Sequence, residues 1–183
     1  MRGAWTMRWT SAAGLAALIA ISVSPLACDR HPLPAPPAGT PAAAGAHAAN
    51  LDVTLKDADG KDVRLDQFKG QPILLNFWAT WCGPCKAEMP DIVAVSREYQ
   101  AKGLKVIGVS IDDTPADVRK FAADNKIPYL LLTAAGQDDW LDHYNVVSGI
   151  PVTVFVRRDG TISDLLQAPG ALDYFQRQAR ALF

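Results

Sequence analysis

A short, mostly apolar run, residues 73–79 (ILLNFWA), ends just before a pair of cysteines in this 183-residue sequence. The run does not alternate between apolar and polar residues, which is typical of a β-strand buried on both faces of a sheet. Such a strand needs cover on both sides, and a helix is predicted directly after it, at residues 84–101. The chain is therefore predicted to be an α/β protein built around this strand.

The rest of the folded region continues this alternation of strands and helices. Residues 51–56 and 61–65 alternate in polarity and are joined by Asp59-Gly60, which predicts an N-terminal β-hairpin. Further strands are predicted at residues 104–111, 129–132, 151–157 and 161–166, and further helices at residues 116–125, 138–144 and 171–183. Thr114 is the expected N-cap of the second helix, with Pro115 at its first position. This order predicts one domain, residues 51–183, with helices on the faces of a sheet.

The first 28 residues have the pattern of an export signal. Two arginines precede an apolar run, residues 12–23 (AAGLAALIAISV), which is shorter than the roughly 20 residues of a transmembrane helix. Cys28 follows a small residue soon after this run and resembles the acylated cysteine of a bacterial lipobox, although Pro25 stands where that pattern prefers leucine. A signal peptide over residues 1–28 and lipidation of Cys28 are therefore predicted. Ordinary signal cleavage and an uncleaved anchor are the alternatives.

Residues 29–50 are rich in Pro, Ala and Gly and contain almost no large apolar side chain. Such a stretch cannot bury enough surface to offset the entropy of ordering it, so a disordered, Pro-stiffened linker is predicted. Behind a lipidated cysteine, this linker would hold the folded domain off a membrane surface. We therefore expect an exported protein on the periplasmic side, bound to the membrane through an N-terminal lipid anchor.

Charge and cysteine count exclude several classes of protein. A net charge of -1 offers no basic face, so no nucleic-acid partner is expected. Three cysteines are too few for a disulfide-stapled scaffold. A structural zinc ion usually takes four Cys or His ligands, and the predicted domain has one Cys pair and a single histidine, His143. No metal and no cofactor are therefore expected.

The two cysteines of the domain stand at the predicted strand–helix junction, as Cys82-Gly83-Pro84-Cys85. On the first turn of a helix, residues three apart are neighbours, close enough to form a disulfide. Cys82 would lie at the N-cap, where free backbone N–H groups and the helix dipole stabilise a thiolate, the nucleophile of thiol–disulfide exchange. Pro84 suits the first turn, and neither Gly83 nor Pro84 brings a charge between the sulfurs. A redox-active Cys82–Cys85 disulfide is therefore predicted.

A family resemblance rests on residues 77–90 (FWATWCGPCKAEMP), with Gly149-Ile150-Pro151 and Asp159-Gly160-Thr161-Ile162 downstream. These segments resemble the thioredoxin superfamily and, within it, the TlpA/ResA/CcmG-type membrane-anchored thiol–disulfide oxidoreductases of bacteria. The resemblance implies a thioredoxin fold, in which helices flank a central mixed β-sheet. It also implies an exported location and a membrane thiol reductase as electron donor. The clients implied are disulfide-containing extracytoplasmic proteins, such as apocytochrome c and oxidase-assembly factors.

The resemblance also implies roles for individual residues. Cys82 matches the attacking cysteine and Cys85 the resolving one, and Trp81 would flank the site. Pro151, preceded by Ile150, matches the family's cis-proline, whose neighbouring backbone pairs with the bound substrate strand.

Two positions depart from the family pattern. Thioredoxin has a buried aspartate where this chain has Asn76, and an asparagine side chain cannot accept a proton. Glu88 lies three residues beyond Cys85, and the membrane-anchored members carry a functional glutamate there, so Glu88 is predicted to assist Cys85. The alternative is a solvated helix glutamate. Val152 stands where many members have threonine, which leaves the substrate preference open.

The leading functional hypothesis is a disulfide reductase. The Gly-Pro dipeptide between the cysteines resembles that of strongly reducing thioredoxin, and the reduction potential decides the direction of exchange. A disulfide oxidase is the first alternative, because an exported compartment is oxidising. A copper-handling module is disfavoured by the cysteine spacing and the lack of an accompanying histidine. A peroxidase is disfavoured because the Pro-x-x-x-Thr-x-x-Cys arrangement is absent around both cysteines.

Overall fold

The computed structural model of the protein describes residues 47–183. The predicted signal peptide, Cys28 and residues 29–46 of the predicted linker lie outside the described residues. Between residues 47 and 183, no helix is long and apolar enough to cross a membrane.

Strands and helices alternate along the described chain as the sequence predicts. The strands are β1 (Thr54–Asp57), β2 (Asp62–Arg64), β3 (Ile73–Trp78), β4 (Lys105–Ser110), β5 (Leu130–Thr133), β6 (Val152–Val156) and β7 (Ile162–Leu166). The helices are α1 (Gly83–Tyr99), α2 (Pro115–Asn125), α3 (Asp138–Asp142) and α4 (Leu172–Arg180). The strands form one sheet in the order β2-β1-β5-β4-β3-β6-β7.

Strand β3 lies near the centre of the sheet, parallel to β4 and antiparallel to β6. Every residue of β3 is buried, which confirms the prediction drawn from its apolar run. Leu74 and Trp78 face the layer of α1, α2 and α4, whereas Ile73, Leu75 and Phe77 face the layer that contains α3. The sheet is thus mixed and has helices on both faces, which confirms the predicted fold class.

The predicted N-terminal hairpin is present, with β1 antiparallel to β2. Strand β1 also pairs with β5, through Lys56 opposite Thr133, so the hairpin extends the central sheet at one edge. The predicted capping of α2 is confirmed too. The side chain of Thr114 accepts a hydrogen bond from the backbone N–H of Asp117, and Pro115 begins the helix.

The chain joins the sheet before residue 51, the predicted start of the domain. Ala48 forms an antiparallel bridge with Thr161, next to the turn between β6 and β7. The backbone N–H of Ala49 donates to the carbonyl of Gly160 at 2.8 Å, and that of Ile162 donates to the carbonyl of His47 at 3.0 Å. These contacts use backbone groups, so the side-chain composition of residues 47–50 gives no signal of them.

Candidate active site

Cys82 and Cys85 lie at the N-terminus of α1, directly after β3. A disulfide joins them, with their Cα atoms 5.3 Å apart. Cys82 is the N-cap of the helix, and its Sγ accepts a hydrogen bond of 3.2 Å from the backbone N–H of Cys85. A sulfur at the N-cap lies beside free backbone N–H groups and the positive end of the helix dipole. Both stabilise a thiolate.

The two sulfurs differ in their surroundings. Cys82 is 4% exposed and Cys85 fully buried, while Gly83 and Pro84 between them are exposed. Apolar residues pack with the pair in one cluster, namely Trp78 of β3, Ala79 of the following turn, Met89 of α1, Val118 of α2 and Leu131 of β5. Of the two cysteines, only Cys82 therefore keeps any exposed area.

Trp81 stands at the surface next to Cys82, with 61% of its area exposed. Its indole N–H donates to both carboxylate oxygens of Asp112, at 3.1 and 2.9 Å. Trp81 is recognisable from the sequence but Asp112 is not, because the two residues are 31 positions apart and only the fold brings them together.

An uncharged groove lies beside Pro84, the residue that precedes Cys85. Its volume is about 380 Å³, and its lining comprises Pro84, Ser148, Gly149, Ile150, Pro151, Gln167, Ala168 and Pro169. The Ile150–Pro151 peptide bond is cis. The fold thus brings the predicted residues Pro84, Ile150 and Pro151 together, and it adds residues 167–169, which the sequence analysis missed.

Glu88 lies on α1 and is only 2% exposed, so it is not a solvated helix glutamate. Its Oε1 accepts from the side-chain amide of Asn76 at 2.8 Å, and its Oε2 accepts from the backbone N–H of Gly170 at 2.8 Å. Burial raises the pKa of Glu88 from 4.5 to about 7, against the opposing effect of the two hydrogen bonds. The carboxyl group can therefore gain and lose a proton near neutral pH.

Asn76 lies on β3 and links the carboxyl group of Glu88 to the neighbouring strand, β6. Its side-chain amide also donates to Oγ1 of Thr153 on β6, at 3.0 Å. Asn76, Glu88 and Thr153 are all buried. Asn76 thus holds Glu88 in place one helical turn from Cys85. Thr153 and Gly170 were not identified from the sequence, since each lies more than 75 residues from its partner.

Comparisons with known proteins place this geometry in a family. The profile of the AhpC/TSA family matches residues 45–165. The thiol-disulfide oxidoreductase ResA of Oceanobacillus iheyensis is 33% identical over 118 residues, which make up 64% of this chain and 60% of that protein. The matched part of the chain thus spans less than two thirds of that relative's length.

Two solved structures have the same architecture. A secreted disulfide oxidoreductase of Mycobacterium tuberculosis, described as homologous to E. coli DsbE, matches with a TM-score of 0.63 and 25% identity, over 72% of this chain and 97% of that chain. The thioredoxin domain of a thiol-disulfide oxidoreductase from Bacteroides vulgatus matches with a TM-score of 0.63 and 26% identity, over 74% and 96%. The family match and these neighbours together show that the chain belongs to the AhpC/TSA family and has a thioredoxin-like fold.

Proposed function

We propose that this protein is an exported thiol–disulfide oxidoreductase that reduces client disulfides with the Cys82–Cys85 dithiol. The observation that carries the proposal is the position of Cys82 as N-cap of α1, bonded to a Cys85 that is fully buried. The names of the similar proteins, a ResA and a DsbE homologue, support the same class of reaction.

The reaction proceeds in two exchange steps. The Cys82 thiolate attacks one sulfur of the client disulfide, so a mixed disulfide forms and the other client sulfur leaves as a thiolate that takes up a proton. The Cys85 thiolate then attacks Sγ of Cys82, which releases the second client thiol. Two electrons pass to the client, and the Cys82–Cys85 disulfide remains. A dithiol donor must reduce this disulfide before the next cycle.

Glu88 is the proton acceptor of the second step in this proposal. A buried thiol is a poor nucleophile at neutral pH, because desolvation opposes its ionised form. Glu88 lies one helical turn from Cys85, and its pKa of about 7 suits a group that takes up and returns a proton at that pH. Asn76 holds the carboxylate by a hydrogen bond but cannot take the proton itself.

The uncharged groove beside Pro151 is the docking site for the client strand. Its lining is uncharged and includes Pro84, which stands between the two cysteines in sequence. An extended client segment with small or apolar residues around its disulfide fits this lining. The exposed ring of Trp81 borders Cys82 and offers a further apolar contact.

The proposal includes a location and a donor. Residues 1–28 would direct export, lipidated Cys28 would hold the protein at the periplasmic side of the membrane, and residues 29–46 would act as the linker. A membrane thiol reductase would supply the electrons. The clients would include proteins of cytochrome c or oxidase maturation, a role supported by the resemblance of residues 77–90 to the ResA and CcmG type.

The reduction potential of the purified full-length chain tests the direction of the reaction. A reductase should have a reduction potential close to that of thioredoxin, which is about −270 mV. A value close to that of DsbA, which is about −120 mV, would indicate an oxidase. Reduction of an oxidised apocytochrome c peptide by the reduced chain tests the client class, with Cys82→Ser as the inactive control. A chain that neither reduces nor oxidises protein disulfides would contradict the proposed function.

A further inference from the structure

The loop between β4 and α2 contains a buried carboxylate that takes no part in the two proposed exchange steps. Asp113 is 8% exposed. Its Oδ2 accepts from the backbone N–H of Thr80 at 2.8 Å and from the hydroxyl of Ser110 at 2.6 Å. Its Oδ1 accepts from the hydroxyl of Thr80 at 2.5 Å. Two of the three bonds to this carboxylate therefore come from one residue, Thr80.

Asp113 is itself fixed to the sheet and to α2. Its backbone N–H donates to the hydroxyl of Ser110 at 3.2 Å, at the end of β4. Its carbonyl accepts a hydrogen bond from the hydroxyl of Thr133, at the end of β5. The next residue, Thr114, caps α2. Since both ends of its backbone are bonded to strands of the central sheet, the carboxylate has a defined position.

Thr80 belongs to the turn that delivers Cys82 to the helix. The backbone N–H of Cys82 donates to the carbonyl of Ala79 at 3.1 Å, which closes a four-residue turn, residues 79–82. Thr80 is the second residue of this turn. Residues 79–82 lie between β3, which ends at Trp78, and α1, which begins at Gly83. The hydrogen bonds of a strand or a helix therefore do not fix the turn.

We propose that Asp113 is a positioning residue for Cys82, which fixes the turn of residues 79–82 through its two hydrogen bonds to Thr80. The proposal rests on the proposed oxidoreductase function, in which the Cys82 sulfur must approach a disulfide in line. Misplacement of reacting atoms by about 1 Å can cost on the order of 10²-fold in rate. A turn that is free to move would lower the rate of the first exchange step and leave the identity of the nucleophile unchanged.

Three variants of the reduced full-length chain separate the effect of the hydrogen bonds between Asp113 and Thr80 from the effect of the Asp113 charge. Asp113→Ala removes both bonds to Thr80, and we expect Cys82 to react about tenfold more slowly with a disulfide, below the ~10²-fold of a full 1 Å displacement. Asp113→Asn should stay within about threefold of the wild type, because its amide oxygen can accept from the Thr80 N–H and its NH₂ can donate to the Thr80 hydroxyl. Thr80→Val removes one bond only, with about a threefold loss expected.

The measurement is the rate at which Cys82 reacts with a small aromatic disulfide and with iodoacetamide at constant pH. Peptide mass spectrometry separates Cys82 from Cys28 and Cys85. Asp124→Ala, which removes an exposed carboxylate from α2, is the control and should react at the wild-type rate. Thermal unfolding of each variant shows whether the fold is kept, and Thr80→Val provides the test if Asp113→Ala does not fold.

The double variant Thr80→Val/Asp113→Ala tests the path of the effect. If Asp113 acts through Thr80, the double variant should be no slower than Asp113→Ala alone. Additive losses would overturn the proposal, as would a wild-type rate for Asp113→Ala or Thr80→Val, or an Asp113→Asn as slow as Asp113→Ala. These rates describe the reaction of Cys82 alone and require no client protein. A wild type that fails to reduce protein disulfides would contradict the proposed function, and the rates would still test the role of Asp113.

Discussion

The backbone N–H of Gly170 donates a 2.8 Å hydrogen bond to Oε2 of Glu88, although 82 positions separate the two residues in sequence. Gly170 follows Pro169, which lines the uncharged groove. A Cβ atom at Gly170 would lie 2.3 Å from Cζ of the buried Phe175, so only glycine brings the backbone this close. The proposed proton acceptor and the proposed client groove therefore share one loop, between β7 and α4.

Replacement of Glu88 by glutamine should slow the second exchange step. Glutamine keeps the shape of the side chain but cannot take the proton of Cys85, so we expect mixed-disulfide decay to be about 10–100-fold slower. In the wild type, the decay rate should rise as the pH increases through about 7, because Glu88 accepts a proton only when ionised. Stopped-flow measurement of mixed-disulfide formation and decay against pH provides the comparison.

Glu98→Gln is the matched control for this variant, since Glu98 is an exposed glutamate of the same helix. Its decay rate should equal that of the wild type at every pH. Formation of the mixed disulfide should be unchanged in both variants. Equal decay rates for Glu88→Gln and the wild type would remove Glu88 from the mechanism.

The raised pKa of Glu88 also predicts a pH dependence of stability. The folded pKa of about 7 lies above the ordinary value of 4.5, so the unfolded chain releases this proton first as the pH rises. The contribution of Glu88 to the free energy of unfolding is fully present below pH 4.5. It is lost as the pH rises through 7, by about 3 kcal/mol in total. Urea unfolding of the oxidised chain at pH 5 and pH 8 should show most of this loss in the wild type and none of it in Glu88→Gln. The same pH dependence in both proteins would contradict it.

The roles of the two sulfurs can be separated by trapping. Cys85→Ser should accumulate mixed disulfides with clients, because the second sulfur is absent and the first bond cannot be resolved. Cys82→Ser should accumulate few or none, since the remaining sulfur is buried. Non-reducing electrophoresis after exposure to oxidised client proteins distinguishes the two outcomes, and the reverse pattern would exchange the assignments.

Lipidation of Cys28 predicts that the wild-type protein fractionates with membranes and incorporates labelled palmitate. Cys28→Ala should lose the label, while the disulfide reductase activity of the chain stays unchanged because Cys82 and Cys85 are intact. Metabolic labelling followed by membrane fractionation is the measurement. A membrane-bound wild type without label would indicate an uncleaved N-terminal anchor instead.

Local patterns were sufficient to predict much of the fold. The apolar run of β3 indicated burial on both faces, and Thr114-Pro115 indicated the start of α2, because strand burial and helix capping depend on neighbouring residues. The same holds for the placement of Cys82 at the start of α1. When two cysteines stand three residues apart at a strand–helix junction, the first cysteine falls at the N-cap and the second on the first turn of the helix.

Contacts between distant segments could not be predicted in this way. The pairing of β1 with β5, the bond from Gly170 to Glu88 and the bonds from Thr80 to Asp113 each join residues more than 30 positions apart. Aspartate in a loop and glycine before a helix are common in any sequence, so their types carry no signal of a partner. Such contacts become visible only once the sheet order is known.

The bridge between Ala48 and Thr161 fixes the place where the N-terminal end of the described chain meets the sheet. Thr161 precedes Ile162, which pairs with Val156, and Val156 lies opposite Ile73 at the start of β3. Cys82 follows the other end of β3, which at six residues is about 20 Å long. Ala48 therefore lies toward the end of the sheet where β3 begins, and Cys82 toward the end where β3 stops. A partner that reaches Cys82 therefore approaches the domain from the end of the sheet away from the N-terminal bridge.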